Sequence, residues 1–215
     1  MLEFLQKGGP LMWLLLVCSV IAVAVFLERA FYLHRANVRI GELLKGLSNL
    51  LARGSVAEAA QECASTPGPT ARVMHAVLLR HDLTRPELRD IARDAGQLEV
   101  PKLERNLGLL VTIAYIAPLI GLLGTAVGLI EAFTTLSARG GYATTHEIGA
   151  GIYQSLLTTA TGLAICIPTL LAYQYLSARV NELMHDMERA GIEIINLLSD
   201  SRRGNPPAGP TPTEL

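Results

Sequence analysis

The order of apolar and polar residues along the chain predicts three membrane-crossing helices. Uncharged stretches cover residues 11–27, 107–130 and 148–178, and they are 17, 24 and 31 residues long. A helix needs about 20 apolar residues to cross a bilayer, so the first stretch is short but sufficient. A cleaved signal peptide explains that stretch less well, because Glu3 and a lone Lys7 precede it and no small-residue cleavage site follows. The expected fold class is an all-α membrane protein with three spans.

The polar segment between the first two spans has the pattern of short helices. Leucines recur on one helix face between residues 41 and 51. A turn rich in proline and glycine at residues 65–69 precedes a helix predicted at residues 70–81. Helices that continue past the membrane plane suit a protein that transmits movement, although support of the bundle explains them as well.

A charged helix is predicted next, because Thr84 lies three residues before Glu87, the spacing of a capping box. We expect this helix to continue through Leu98. Pro101 can kink it, and the chain is then expected to run straight into the second span.

Composition and charge fit this picture and set the topology. Half of the residues are hydrophobic, 17% are charged, and the mean hydropathy is +0.36. Eleven lysines and arginines lie in residues 34–106, whereas residues 137–147 contain Arg139 alone. The positive-inside rule therefore places residues 34–106 and the C-terminal tail in the cytoplasm, and the N-terminus outside. A net charge of −1 gives no indication of a nucleic-acid partner.

The second and third spans contain small residues at helical spacing. These residues are Ala117, Gly121, Gly124 and Gly128 in the second span, and Gly151, Ser155, Thr158 and Gly162 in the third. Stripes of small residues allow two helix backbones to approach closely, so we expect the five glycines to serve helix packing. Ordinary packing of a bundle explains any single glycine.

Hydroxyl groups on the two spans are expected at similar heights. Thr125 and Thr159 lie about 9 and 17 Å from the outer ends of their helices at 1.5 Å per residue. Such hydroxyls can line a water-filled path or solvate a buried charge of a partner. Gln154 is expected to face the interior of an assembly. Because residues 107–130 and 148–178 contain no Asp, Glu, His, Lys or Arg, any proton carrier must come from a second protein.

Four motifs along the chain resemble those of the MotA/TolQ/ExbB proton-channel family. Residues 117–128 (APLIGLLGTAVG) are similar to its second-helix signature. Residues 151–163 (GIYQSLLTTATGL), followed by Ile167-Pro168, are similar to its third-helix signature. Residues 8–13 and 103–105 also resemble ExbB-type members. Three spans fit ExbB and TolQ, since MotA proteins have four.

The resemblance implies a mechanism and a set of partners. Members form homopentamers in the bacterial inner membrane, whose second and third helices line a pore around a dimer of a single-span ExbD/TolR-like protein. That partner carries the essential membrane Asp. The complex acts on outer-membrane transport through a TonB-like energy transducer. The resemblance places Thr125 and Thr159 at the pore, with Gln154, Ser155 and Thr158 beside the proton pathway. Many ExbB and TolQ proteins have Glu at the position of Gln154.

The expected organisation along the chain follows from these inferences. It comprises a short periplasmic N-terminus (1–9), the first span (10–33), a cytoplasmic helical segment (34–106), the second span (107–136), a periplasmic connection (137–147), the third span (148–178), a cytoplasmic helix (179–200) and a disordered tail (201–215).

Several functions compete for this sequence. The leading one is an ExbB-type subunit that energises outer-membrane transport, and a TolQ-like role in envelope maintenance comes second. A non-conducting scaffold, in which the small stripes only pack helices, is the alternative from a different class. A membrane-anchored enzyme is disfavoured, because the cytoplasmic segment shows no catalytic constellation. We predict no catalytic residue, no cofactor and no metal site.

Overall fold

The computed structural model describes residues 9–36, 40–138 and 145–204, and within these ranges the chain is built of helices without strands. The helices are α1 (Gly9–Ala36), α2 (Ile40–Ala52), α3 (Val56–Ser65), α4 (Pro69–Leu79), α5 (Arg85–Glu104), α6 (Leu107–Ala138) and α7 (Thr145–Gly204). Most of the predicted N-terminal segment, the connection at 137–147 and the tail therefore lies outside the described residues.

Three of these helices, α1, α6 and α7, are long and apolar enough to cross a membrane, among the residues that the structure describes. This confirms the predicted all-α class with three candidate spans. The helices extend beyond the uncharged stretches. α7 in particular continues to Gly204, so residues 201–204, predicted to start a disordered tail, are helical.

Contacts divide the chain into two compact units. The membrane unit comprises the chain up to Phe31 together with Asn106–Ser177, and the polar unit comprises Tyr32–Arg105 together with the chain from Ala178. The division falls near the ends of the uncharged stretches, where the sequence changes from apolar to charged residues.

The polar unit has its own hydrophobic core between α2, α3, α4, α5 and the later part of α7. The fully or nearly fully buried residues of this core are Leu47, Leu51, Ala59, Cys63, Met74, Val77, Leu78, Leu88, Ala190, Ile194, Ile195 and Leu198. Burial raises the pKa of the Cys63 thiol to about 11, so this side chain behaves as a small apolar group. The Ser201 hydroxyl donates to the carbonyl of Leu51 over 3.0 Å and attaches α7 to the end of α2.

A buried carboxylate attaches α5 to α4 inside the polar unit. Glu99 is 5% exposed, and its two oxygens lie 2.8 Å from Arg72 Nη2 and 2.7 Å from Lys102 Nζ. A buried charge is tolerated only where opposite charges compensate its lost hydration, and here two cations do so.

The sequence predicted the start of α5 correctly but not its end. The capping box is confirmed, since the Thr84 backbone N–H and hydroxyl donate to Glu87 Oε2 over 2.8 and 2.7 Å. The predicted direct run into the second span is wrong. α5 includes Pro101 and ends at Glu104, and Asn106 has a φ of 63°, a left-handed conformation in which no α-helix continues.

Candidate functional site

Within the membrane unit, α6 and α7 lie antiparallel and in close contact along their small residues. We call this contact the seam; it comprises Gly121, Gly124 and Gly128 of α6 with Gly151, Ser155, Thr158, Thr159 and Gly162 of α7. A Cβ atom added to Gly162 would lie 2.6 Å from the carbonyl oxygen of Ala117. At the next contact, a Cβ on Gly121 would lie 3.0 Å from the Cα of Thr159. A side chain at Gly162 is therefore excluded unless the helices move, and one at Gly121 would make an unusually tight contact.

The seam continues with the same closeness towards the end of α6 and the start of α7. A Cβ on Gly128 would lie 2.8 Å from the Cβ of Ser155. On the opposite helix, a Cβ on Gly151 would lie 3.1 Å from the Cβ of Ala132. The spacing of small residues in the sequence thus corresponds to a continuous helix contact, of the kind that packs membrane helices without a hydrophobic driving force.

Two seam hydroxyls are buried and bonded to their own helix. Ser155 donates to the carbonyl of Ile152 over 2.7 Å, and Thr158 donates to the carbonyl of Ser155 over 2.9 Å. Both residues are 1% exposed, so within one chain their side chains face α6 and not a surface. The backbone bonds satisfy hydroxyls that would otherwise be costly to bury. Their place beside a proton pathway stays a prediction.

Thr125 and Thr159 form a different arrangement, which we call the hydroxyl pair. Their hydroxyls are hydrogen-bonded to each other across the seam, and both residues are half-buried. The Thr159 hydroxyl also lies 2.9 Å from the carbonyl oxygen of Gly121, and that of Thr125 lies 3.3 Å from the carbonyl oxygen of Ser155. The expectation that these two hydroxyls lie at similar height is confirmed by this contact.

Gln154 lies against the start of α1. Gly9, the first residue of α1, has a φ of 69°, and a Cβ there would lie 2.7 Å from Gln154 Nε2. Glycine meets both conditions, because it tolerates positive φ and leaves room for the amide. Sequence reasoning connected Gln154 with the interior of an assembly and missed this contact with Gly9. The only signal was the Gly8-Gly9-Pro10 opening.

The polar groups of the site are uncharged hydroxyl, amide and carbonyl dipoles. Residues 107–130 and 148–178 contain no Asp, Glu, His, Lys or Arg. A hydroxyl carries one proton to donate and two lone pairs to accept, and it does not titrate in the physiological range. In the described part of the chain, no three His, Cys, Asp or Glu side chains come together as a metal site would require. The site can therefore orient and solvate a charge but cannot carry one.

These observations define a class of protein: a helical membrane protein with three candidate spans, in which the second and third form a tight uncharged seam carrying hydroxyl groups. The sequence pattern of the MotA/TolQ/ExbB proton channel family matches residues 65–189, which is more than half of the chain. The chain belongs to this family.

Individual relatives of this chain are named as ExbB or TolQ proteins. The biopolymer transport protein exbB1 of Vibrio cholerae is 30% identical over 195 residues, which cover 89% of this chain and 85% of the relative. An ExbB homologue of Methanothermobacter thermautotrophicus is 27% identical over 87% of this chain, which spans 66% of that relative's length. The Tol-Pal system protein TolQ of Haemophilus influenzae is 37% identical over 109 residues, 51% of this chain and 47% of the relative.

Proposed function

We propose that this chain is an ExbB-type subunit of an inner-membrane motor driven by the proton-motive force. Five copies form a pore around a dimer of an ExbD-like single-span protein, and the complex energises TonB-dependent transport across the outer membrane. Family membership and the ExbB relatives support this assignment. The observation that carries it is the hydroxyl pair, which places two polar groups at one height on an otherwise uncharged pair of helices.

The hydrogen bonds of the pair suggest how it meets a carboxyl group of the partner. Each hydroxyl has one proton, and either hydroxyl can be the donor between the two threonines. In one arrangement Thr159 donates to the carbonyl of Gly121 while Thr125 donates to Thr159. In this state both protons are engaged and the free lone pairs accept a bond from a protonated, neutral Asp. When that Asp loses its proton, rotation of one hydroxyl lets the pair donate to the carboxylate. The pair thus stabilises both states of a carboxyl that this chain lacks.

The seam gives this pair a rigid support. Its backbones are so close that Gly162 leaves no space for a side chain and Gly121 leaves very little, and close-packed helices have few alternative arrangements. Ser155 and Thr158 support the pathway by packing against Gly128 and Gly124 of α6. Force exerted by a moving partner on the hydroxyl pair is therefore borne by two helices together.

The proposed organisation has the N-terminus in the periplasm and the C-terminus in the cytoplasm of a bacterium. The spans are residues 10–33, 107–136 and 148–178, with residues 34–106 and 179–200 in the cytoplasm. The excess of Lys and Arg in residues 34–106 supports this orientation.

The experiment is to measure proton flux in proteoliposomes that contain the chain and its single-span partner, with Thr125→Val and Thr159→Val. Valine keeps the shape of threonine and removes the hydroxyl. Hydrogen bonds to charged groups contribute about 1.5–3 kcal/mol, so flux should fall about ten- to hundredfold in each variant.

The matched control is Thr161→Val, because the Thr161 hydroxyl donates to the carbonyl of Leu157 within its own helix over 2.8 Å. Its flux should remain close to wild type, and all variants should retain the same complex mass. If Thr125→Val and Thr159→Val conduct like the control, the hydroxyls have no role in proton flux. If the wild type itself gives no flux above that of empty liposomes, the chain is a non-conducting scaffold.

A TolQ-like subunit of an envelope-maintenance system is the second candidate. The observation that favours it is the 37% identity to TolQ, which is higher than that to exbB1 although it covers about half of the chain. The two roles differ in their partners. Purification of the tagged chain from its native membrane, followed by identification of the bound energy transducer, separates a TonB-like from a Tol-type system.

A further inference from the structure

An open groove lies in the polar unit between α5 and the later part of α7. Its volume is about 600 Å³. The larger apolar side chains of its lining are Val100, Met184, Met187, Ile192 and Ile195. Ile192 is 54% exposed, a large fraction for an isoleucine in a charged helix. Methionine adapts its shape to different contacts, so this lining suits a surface that receives another side chain.

Two arginines of α5, Arg89 and Arg93, border the groove. They are four residues apart and therefore lie one helical turn from each other on the same face. Both are exposed. Glu188 of α7 is the single acidic residue among the lining residues. The border of the groove formed by α5 is thus positively charged.

A second exposed strip of α5 has the opposite character. Asp90, Asp94 and Leu98 also recur at intervals of four, and all three are exposed, Leu98 to 71%. Each of these residues is one position from a groove residue in sequence, which rotates it by about 100° around the helix. We call Asp90, Asp94 and Leu98 the acidic strip. It lies on a different face of α5 from the groove.

The groove and the acidic strip match each other in charge, chemistry and height. Arg89 and Arg93 occupy the same levels of α5 as Asp90 and Asp94, within 1.5 Å along the helix. Leu98 lies one further turn along, at the level of Val100 and the apolar lining. Any rotation axis parallel to α5 places the α5 helices of all copies at the same height. Two copies brought side by side by such a rotation therefore set Asp opposite Arg and Leu98 opposite the apolar lining.

We propose that the groove of one copy receives the acidic strip of the next, so that this contact joins the polar units of neighbouring subunits. The contact is head-to-tail, since groove and strip are different surfaces, and such contacts generate a closed ring when the rotation between neighbouring copies closes. This proposal rests on the proposed ring of five. It assigns to α5 and α7 an interaction surface outside the membrane spans.

The test uses two differently tagged full-length chains, expressed together with the single-span partner and free of native cysteines. One chain carries Arg93→Cys and the other Asp94→Cys. Cysteines form a disulfide only when their Cα atoms are within about 7 Å. Mild oxidation should therefore join most of the two tagged chains. The control pair, Arg53→Cys with Asp94→Cys, places one thiol at the exposed end of α2 and should give less than a tenth of that product.

Charge reversal provides a second readout that does not depend on cysteine geometry. Arg89→Asp with Arg93→Asp should lower the fraction of intact rings, and so should Asp90→Arg with Asp94→Arg. The variant with all four substitutions restores opposite charges and should recover the ring. Because Asp90 and Arg93 are also neighbours within α5, the two double variants should keep the thermal stability of the wild-type chain, which places the lost attraction between copies.

The outcomes separate this proposal from the proposed function. An intact complex of five copies with its partner, but no cross-link between residues 93 and 94 and no rescue by the fourfold variant, overturns the groove contact and leaves the motor assignment in place. Cross-linking of the groove to the partner protein alone also overturns it. Absence of any ring in the wild type overturns both.

Discussion

At the scale of single residues, the seam is governed by size. Gly121, Gly124 and Gly128 face the backbone or the short side chains of α7, and the largest polar side chain present in the seam is threonine. The polarity of Ser155 and Thr158 has no cost because each hydroxyl finds a carbonyl of its own helix. The hydroxyl pair differs because it bonds across the two helices.

Substitution of Gly124 tests this packing directly. A Cβ on Gly124 would lie 2.8 Å from the Cβ of Thr158, so Gly124→Ala forces the helices apart and should destabilise the protein by about 1–3 kcal/mol. Gly108→Ala on the same helix is the matched control, because no atom lies within 4 Å of the added Cβ. Thermal unfolding of both purified variants gives the comparison. Equal stability of the two would show that the close approach at Gly124 is not energetically important.

Residue spacing predicted the seam, but it did not predict which hydrogen-bond acceptor each hydroxyl uses. The intervals of three and four residues were sufficient to group the glycines with Ser155 and Thr158 on one face. Whether a threonine bonds its own helix or its neighbour depends on the rotation of the two helices about their axes. That rotation is set by tertiary contacts such as that of Gly121 with Thr159, which no local pattern encodes.

At the scale of elements, the start of α5 depends on the charge of one side chain. Glu87 accepts hydrogen bonds from the hydroxyl and the backbone N–H of Thr84, and these bonds lower the pKa of its carboxyl. A carboxyl whose pKa is lower in the folded state contributes stability above its unfolded pKa, and this contribution is lost as the pH falls through the folded value. The first turn of α5 is therefore most stable with Glu87 ionised.

We expect Glu87→Gln to increase amide hydrogen exchange in the first turn of α5 at pH 7. The difference from wild type should shrink as the pH falls below the ordinary range of a glutamate, because wild-type Glu87 then becomes neutral as well. Glu104→Gln at the other end of α5 is the control and should leave the first turn unchanged. A difference that persists unchanged at low pH would contradict a role for the Glu87 charge.

Element boundaries show where sequence reasoning stops. Thr84 and Glu87 predicted the start of α5 correctly because a capping box is a local interaction. The end was predicted less well. Pro101 is accommodated within α5, and the helix ends at Glu104, two residues before Asn106, a residue type that adopts positive φ more readily than most. Neither position shows its backbone conformation in sequence alone.

At the scale of the whole molecule, the distribution of charge separates two kinds of structure. The membrane unit carries its hydroxyl pair on uncharged helices, whereas the polar unit contains a compact core and a buried Glu99 between two cations. We therefore propose a separate role for each unit. The membrane unit solvates a carboxyl group of the partner, and the polar unit holds neighbouring subunits together. The sequence predicted the two kinds of segment from charge, but neither the groove nor the acidic strip.

We propose that five copies of this chain enclose a partner, whose membrane Asp supplies the carboxyl group that the spans of this chain lack. The most direct measurement is the mass of the intact complex after gentle extraction of the tagged chain from its native membrane. We predict a mass that fits five copies of this chain and two of a small single-span protein with an Asp in its span. Five copies with an empty pore under every condition, or no ring at all, would contradict the motor and leave a membrane scaffold.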